Sequence, residues 1–155
     1  MISAPKYTFI NQQTIDISNV NKESLYLSFT SIGGKRGWLA HNYLWQMRSI
    51  IDKLIGGVGF RGRKHPTNLE IDDVIDFWRV ADIQKNTRLL LKAEMKVPGD
   101  AWLEFKIDND KFIQSAYFLP DGILGKLYWY FFIPFHHLIF QEMANKIVKD
   151  ARNFT

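Results

Sequence analysis

Residues 89–122 read LLLKAEMKVPGDAWLEFKIDNDKFIQSAYFLPDG, and this stretch decides the fold. Leu89, Leu91, Ala93, Met95 and Val97 share one face of an extended chain, with Lys92, Glu94 and Lys96 on the other. Pro98-Gly99-Asp100 supplies a turn, after which Ala101, Leu103, Phe105 and Ile107 alternate against Trp102, Glu104 and Lys106. Asp108-Asn109-Asp110 turns the chain again into residues 111–119, and Pro120-Asp121-Gly122 closes the sheet. Parallel neighbours need a crossover of about a dozen residues or more, so these three strands are antiparallel.

Upstream, residues 8–18, with Ile15 and Ile17 alternating against Asp16 and Ser18, predict a first strand. Asn19 or Asn21 can cap a short helix over 23–30, ended by Gly33-Gly34. Leu39, Tyr43, Leu44, Met47, Ile50, Ile51, Leu54 and Ile55 recur at helical spacing and predict a second helix, stopped by Gly56-Gly57. Residues 58–63 form a short candidate strand before a His65-Pro66 break, and 74–83 another, ended by Gln84-Lys85-Asn86.

Downstream, residues 123–153 form one long helical segment, in which Pro134 predicts a kink or break. Beyond it Ile139, Phe140, Met143, Ile147 and Ala151 make one stripe, while Gln141, Glu142, Asn145, Lys149 and Asp150 face away. A curved antiparallel sheet with one apolar face must be covered, and this helix is the large apolar element available to do so. The expected fold is therefore α+β: about six or seven strands wrapped around a long, Pro-kinked C-terminal helix, with two short helices after the first strand. That is a helix-grip fold, expected as a single domain over residues 1–155.

Composition excludes several classes. Hydrophobic residues make up 46% of the 155, enough for a core, so disordered and collagenous readings fail. The 20 Lys+Arg against 16 Asp+Glu give a mild +4. The basic residues cluster only at Arg61, Arg63 and Lys64 and at Lys35 and Arg36, so no nucleic-acid partner is expected. Cysteine is absent, which removes thiolate nucleophiles, disulfides and cysteine-based metal sites. Residues 1–10 do not resemble a signal peptide. Residues 127–140 are apolar but short of the ~20 needed to span a bilayer, and a cytoplasmic protein is the default expectation.

Gly57-Val-Gly59-Phe-Arg-Gly62 matches G-x-G-x-x-G, with Asp82 at about the right distance beyond it. A dinucleotide fingerprint requires a strand before the glycines and a helix after them; here the order is reversed, so a tight bend is the better reading and no cofactor is expected. The histidines (His41, His65, His136 and His137) lack metal-ligand spacing, and no metal is expected. His136 falls on the inward side of its helix, as a hydrogen-bonded core residue or as a pocket acid/base. Asp76 and Arg79 sit in an apolar strand, where they form an ion network or clamp an anionic ligand. No G-x-S-x-G nucleophile motif is present.

Longer runs carry a resemblance: Ile32-Gly-Gly, Gly37-Trp38, Leu44-Trp45, Gly56-Gly-Val-Gly-Phe-Arg-Gly-Arg63, Asp76-Phe-Trp-Arg-Val80, Ala93-Glu-Met-Lys-Val-Pro-Gly99, Ala101-Trp-Leu-Glu-Phe105 and Tyr128-Trp-Tyr followed by Pro134-Phe-His136. Over residues 14–151 the chain resembles an uncharacterised bacterial domain family often fused behind a short-chain-dehydrogenase-like, NAD(P)-binding domain. The family is similar in architecture to the START/polyketide-cyclase (SRPBCC) superfamily. Tyr43 stands where that pattern has tryptophan. The resemblance implies an internal cavity and no established activity. The 155 residues leave no room for a nucleotide-binding domain, so any cooperation with a dehydrogenase-like protein would occur in trans.

The expected function is binding of a small lipophilic or amphipathic molecule in that cavity. Trp45, Met47, Phe77, Met95, Leu103, Phe105, Tyr128 and Phe140 would supply apolar walls, and Arg48, Arg79, Glu94, Glu104 and His136 polar contacts. The alternatives are cyclase-, dehydratase- or isomerase-like acid–base chemistry through His136, Glu94, Glu104 or Asp76, and a non-catalytic module docking on a dehydrogenase-like partner.

Overall fold

A computed structural model describes residues 9–39, 41–63 and 68–154, the side chains of residues 35 and 154 excepted. The elements follow the order β1 (Phe9–Asp16), α1 (Lys22–Thr30), α2 (Asn42–Leu54), β2 (Val74–Ile75), β3 (Trp78–Gln84), β4 (Arg88–Ala93), β5 (Gly99–Asp108), β6 (Lys111–Pro120) and α3 (Gly122–Ala151). Short 3₁₀ turns occupy Gly34–Arg36 and Arg152–Phe154. The strands form one antiparallel sheet in the order β1-β6-β5-β4-β3-β2. The first strand thus pairs with the last, Phe9 opposite Phe118 and Asp16 opposite Lys111. The fold is the α+β helix grip that the alternating strands predict.

The core lies where α1 and the C-terminal half of α3 cross the sheet. Asn21 caps α1 by accepting from the Ser24 amide at 2.9 Å. Phe29 on α1 stacks between Phe105 and Phe112, with centroids 5.7 and 5.9 Å away. Leu103, Phe105 and Met143 are fully buried beneath the helices. Gln114 on β6 donates to the Phe140 carbonyl at 2.9 Å, and Ser28 on α1 to that of Ile147 at the same distance. Polar bonds therefore fix the rotation of α3 about its own axis, and burial of Phe140, Met143, Ala144, Ile147, Val148 and Ala151 supplies the driving force.

Two expectations need correction, and of the kink or break expected at Pro134 the break does not occur. Residues 58–63 are not a strand; only Arg63 bridges to Ile75. The strand over 74–83 is a hairpin, β2 and β3, turned at Asp76 and Phe77 with Asp76 at φ 53°. Its carboxylate accepts from the Trp38 indole at 2.9 Å and from the Gly34 and Gly62 amides at 3.0 and 3.2 Å, which pulls the residue out of the pleat. Finally, α3 runs unbroken through Pro134. The proline frees the Tyr130 carbonyl, and Tyr130 is exposed, so water can satisfy it. The His65-Pro66 break and Lys64 lie outside the described residues. Among the described residues no helix is long and apolar enough to cross a membrane.

Candidate functional site

The glycine-rich loop after α2 is built around carboxylates of this chain. Asp52, fully buried, accepts from the Gly59 amide at 2.8 Å and the Lys96 amide at 2.6 Å. The Gly57 amide donates to the Asp52 carbonyl at 2.7 Å, and a Cβ on Gly57 would collide with the carboxylate. Gly62 donates to Asp76, and Phe60 to Ser49 Oγ at 2.8 Å. The Gly59 and Gly62 amides are thereby occupied, and no helix follows to aim at a pyrophosphate. The loop closes a bend and ties α2 to the β4–β5 connection through Lys96.

This tether decides which way α2 faces. Trp45, Ser49 and Asp52 are buried, Met47, Ile51 and Ile55 stay about half exposed beside the cavity described below, and Tyr43, Ile50 and Leu54 face outward, Leu54 at 80% exposure. The helical period in the sequence is right, but the apolar stripe does not face the core. A buried carboxylate with backbone partners sets the rotation instead, because burying Asp52 unpaired would cost more than exposing the aliphatic side chains.

Between α2, the sheet and the first half of α3 lies a cavity of about 550 Å³, within the range of small-molecule sites. Trp45, Met47, Arg48, Phe77, Met95, Tyr128, His136 and Phe140 line it. Leu103 and Phe105 do not; both are packed fully into the core. Arg79 and Glu94 pair with each other at 2.9 Å, Arg61 adding a second contact at 2.7 Å, and that pairing keeps both off the cavity wall. Donation from Arg79 holds Glu94 below the usual carboxylate range. Glu104 alternates with Leu103 and Phe105, so it lies on the opposite face of the sheet. There it accepts from Arg88 at 2.6 Å and the Tyr117 hydroxyl at 2.9 Å, while Arg88 also holds Asp82 at 2.6 Å.

The sequence reading missed how much of the wall comes from α3: Trp129, Phe131, Phe132, Phe135 and Ile139 also line the cavity. The signal was present, since residues 127–140 are apolar on all sides and such a helix has two apolar surroundings to meet.

Polar atoms are few. Arg48 donates to the Lys96 carbonyl at 2.5 Å and lies 3.6 Å from Asp52. Burial, and then the nearby Arg48 charge, lower the pKa of His136 to about 4, so its imidazole is neutral at physiological pH. Trp45 Nε1, Trp78 Nε1, Arg48 Nη1 and His136 Nδ1 are buried without a hydrogen-bond partner. Among the described residues no group of three or more acidic or histidine side chains could hold a metal ion.

The sequence profile of DUF2867, described as "protein of unknown function", matches residues 3–143. No curated protein matches the chain. Among solved structures, DynU16 from the dynemicin biosynthetic locus superposes with a TM-score of 0.52 at 8% identity. The alignment covers 94% of this chain and 48% of that one, so the chain spans about half of DynU16. A Nitrosomonas europaea protein gives a TM-score of 0.51 at 9% identity, covering 94% of this chain and 95% of the other. At these identities the likeness concerns the fold.

Proposed function

The chain belongs to the DUF2867 family, whose function is unknown, and we propose from its own geometry that it binds a small lipophilic or amphipathic molecule in the cavity between sheet, α2 and α3. The observation that carries this reading is the cavity itself: about 550 Å³, walled almost wholly by aromatic and aliphatic side chains. The space opens to solvent along exposed Met47, Ile51, Phe131 and Phe135, so its apolar walls meet water unless something covers them, which is unfavourable.

Binding of N-phenyl-1-naphthylamine, a neutral probe that brightens in apolar surroundings, tests the reading. Ala116→Phe and Ala101→Phe each project a ring into the space. Wild type is expected to bind one equivalent, and both variants to lose at least about tenfold in affinity with an unchanged far-UV spectrum. Equal binding by wild type and both folded variants would move the probe to the outer surface and end the proposal.

Acid–base chemistry in the same cavity rests on fewer groups than the sequence offers. Asp76, Glu94 and Glu104 are engaged in hydrogen bonds and ion pairs elsewhere, which leaves His136 beside Arg48. A second reading, docking on a dehydrogenase-like partner, is supported by the outward apolar faces of α2 and α3. Ile123, Leu124, Leu127, Tyr130 and Phe131 are all more than half exposed. Titration against a short-chain-dehydrogenase-like protein checks it: association abolished by Leu124→Glu supports docking, and no association with wild type removes it.

A further inference from the structure

The few polar atoms on the cavity wall share a property. Trp45, Trp78 and His136 each carry one that is buried without a partner, and Arg48 Nη1 makes no hydrogen bond, its neighbour being the Asp52 carboxylate at 3.6 Å. The residues lie together at one end. The Trp45 and Trp78 centroids are 6.5 Å apart, Trp45 is 6.2 Å from Phe140, and Phe140 is 5.5 Å from His136. Arg48 is near enough for its charge to be felt at the imidazole. Buried polar groups in folded proteins are nearly always paired, so three orphans and a loosely held guanidinium on residues that line one apolar cavity call for a shared partner. Two indoles and a guanidinium offer donors only, and a neutral imidazole offers one N–H and one lone pair.

We propose that the ligand is a lipophilic molecule bearing an uncharged acceptor oxygen, such as a ketone, quinone or ester carbonyl. The oxygen lies at the Trp45, Trp78, Arg48 and His136 end, and the apolar body reaches toward Phe118, Tyr128 and Phe132. This rests on the ligand-binding reading above. An uncharged acceptor is favoured over a carboxylate because the Arg48 charge already faces the buried Asp52 at 3.6 Å. A second anion would enter an apolar site with no spare charge to meet it except the exposed Lys96. The four atoms are buried just behind the cavity surface, so small turns of their side chains toward the carbonyl are part of the proposal.

Displacement of N-phenyl-1-naphthylamine by three compounds of similar size tests it: hexanophenone, hexylbenzene and 6-phenylhexanoate. Hexanophenone is expected to bind about tenfold or more tighter than either of the others, the discrimination that donors otherwise left unpaired confer. Replacing Trp45→Phe and Trp78→Phe together removes both indole donors and leaves an aromatic ring at each position. The ketone's advantage over hexylbenzene, both measured on this variant, should then fall to within about threefold, with an unchanged far-UV spectrum showing that the variant is folded. Arg48→Met offers the same comparison from α2. Equal displacement by ketone and hydrocarbon, or tightest binding by the carboxylate, overturns the proposal while leaving the cavity reading intact. Failure of the probe to bind wild type overturns both.

Discussion

The two halves of α3 are one continuous helix with opposite surroundings. From Phe140 onward it is amphipathic: Met143, Ala144, Ile147 and Ala151 are fully buried, and Glu142, Lys146 and Lys149 point outward, Glu142 pairing with Lys146 at 3.1 Å. From Gly122 to Leu138 apolar residues occur on every side, and Lys126 carries the one fixed charge. One side walls the cavity, and the other leaves Ile123 76% and Leu124 74% exposed. α2 behaves like the first half: Ser49 and Asp52 are buried, Leu44, Met47 and Ile51 border the cavity, and Tyr43, Ile50 and Leu54 are exposed. The sheet is gripped by the half of the helix whose pattern has a period. On the reading proposed above, the half without a period is where a ligand or partner would be met, because folding alone leaves its apolar area partly unburied.

The sharpest way to break this contrast is a matched pair of truncations. Ile147→Ala removes buried methylenes from a site sealed by α1 and the sheet, and should cost about 3 kcal/mol by denaturant unfolding. Leu124→Ala, on an exposed turn, should cost no more than about 0.5 kcal/mol. Comparable losses would show that the first half is covered in the folded protein, and the division of α3 would fall.

How much of this was readable beforehand follows from the same contrast. β4, β5 and β6 were legible because one face is buried and the other is not, so alternation records the register that Leu103, Ala116 and Phe118 adopt. The C-terminal half of α3 was legible for the same reason at a helical period. What did not show was any feature set by a carboxylate reaching across the chain. Asp52 rotates α2, and Asp76 folds an apparent single strand into a hairpin, in both cases through backbone amides far away in sequence. Glu94, Glu104 and Arg79 were misplaced as cavity groups because alternation assigns a face but not a partner across it.

His136 marks the boundary between the halves, and its burial makes that boundary sensitive to pH. Its pKa falls from 6.5 to about 4 on folding, chiefly through burial and secondarily through Arg48. Between those values the unfolded chain binds the proton more readily than the native one. Its neutral form therefore supports full stability above about pH 6.5, and stability is lost as the pH drops toward 4. The difference is at most about 3 kcal/mol. His136→Leu should flatten that portion of the stability–pH curve relative to wild type. Curves that stay parallel from pH 7 to 4 would place the imidazole in contact with water.

Asp52 tests whether α2 owes its inverted orientation to its tether. Asp52→Asn keeps the size but weakens the bonds to the Gly59 and Lys96 amides and removes the counter-charge of Arg48. A loss of about 2 kcal/mol is expected, together with faster hydrogen exchange at those two amides. Unchanged exchange at both would mean that the Trp38–Trp45 stack, at 4.6 Å, is enough to hold the helix.

The smallest effect concerns the proline between the halves. Pro134 lacks the N–H that would reach the Tyr130 carbonyl, and its ring crowds that turn, yet the helix passes through it on an exposed surface. No buried contact depends on the ring, so Pro134→Ala should restore one helical bond and raise stability by roughly 1 kcal/mol, with the first half of α3 becoming more protected from exchange. If ligand entry needs the helix to open at this point, the gain comes with slower probe association at unchanged equilibrium affinity for the open form. Stopped-flow mixing with N-phenyl-1-naphthylamine separates the outcomes. Equal association rates would assign the proline to helix geometry alone, and a loss of stability would show that its ring packs against something the cavity wall requires.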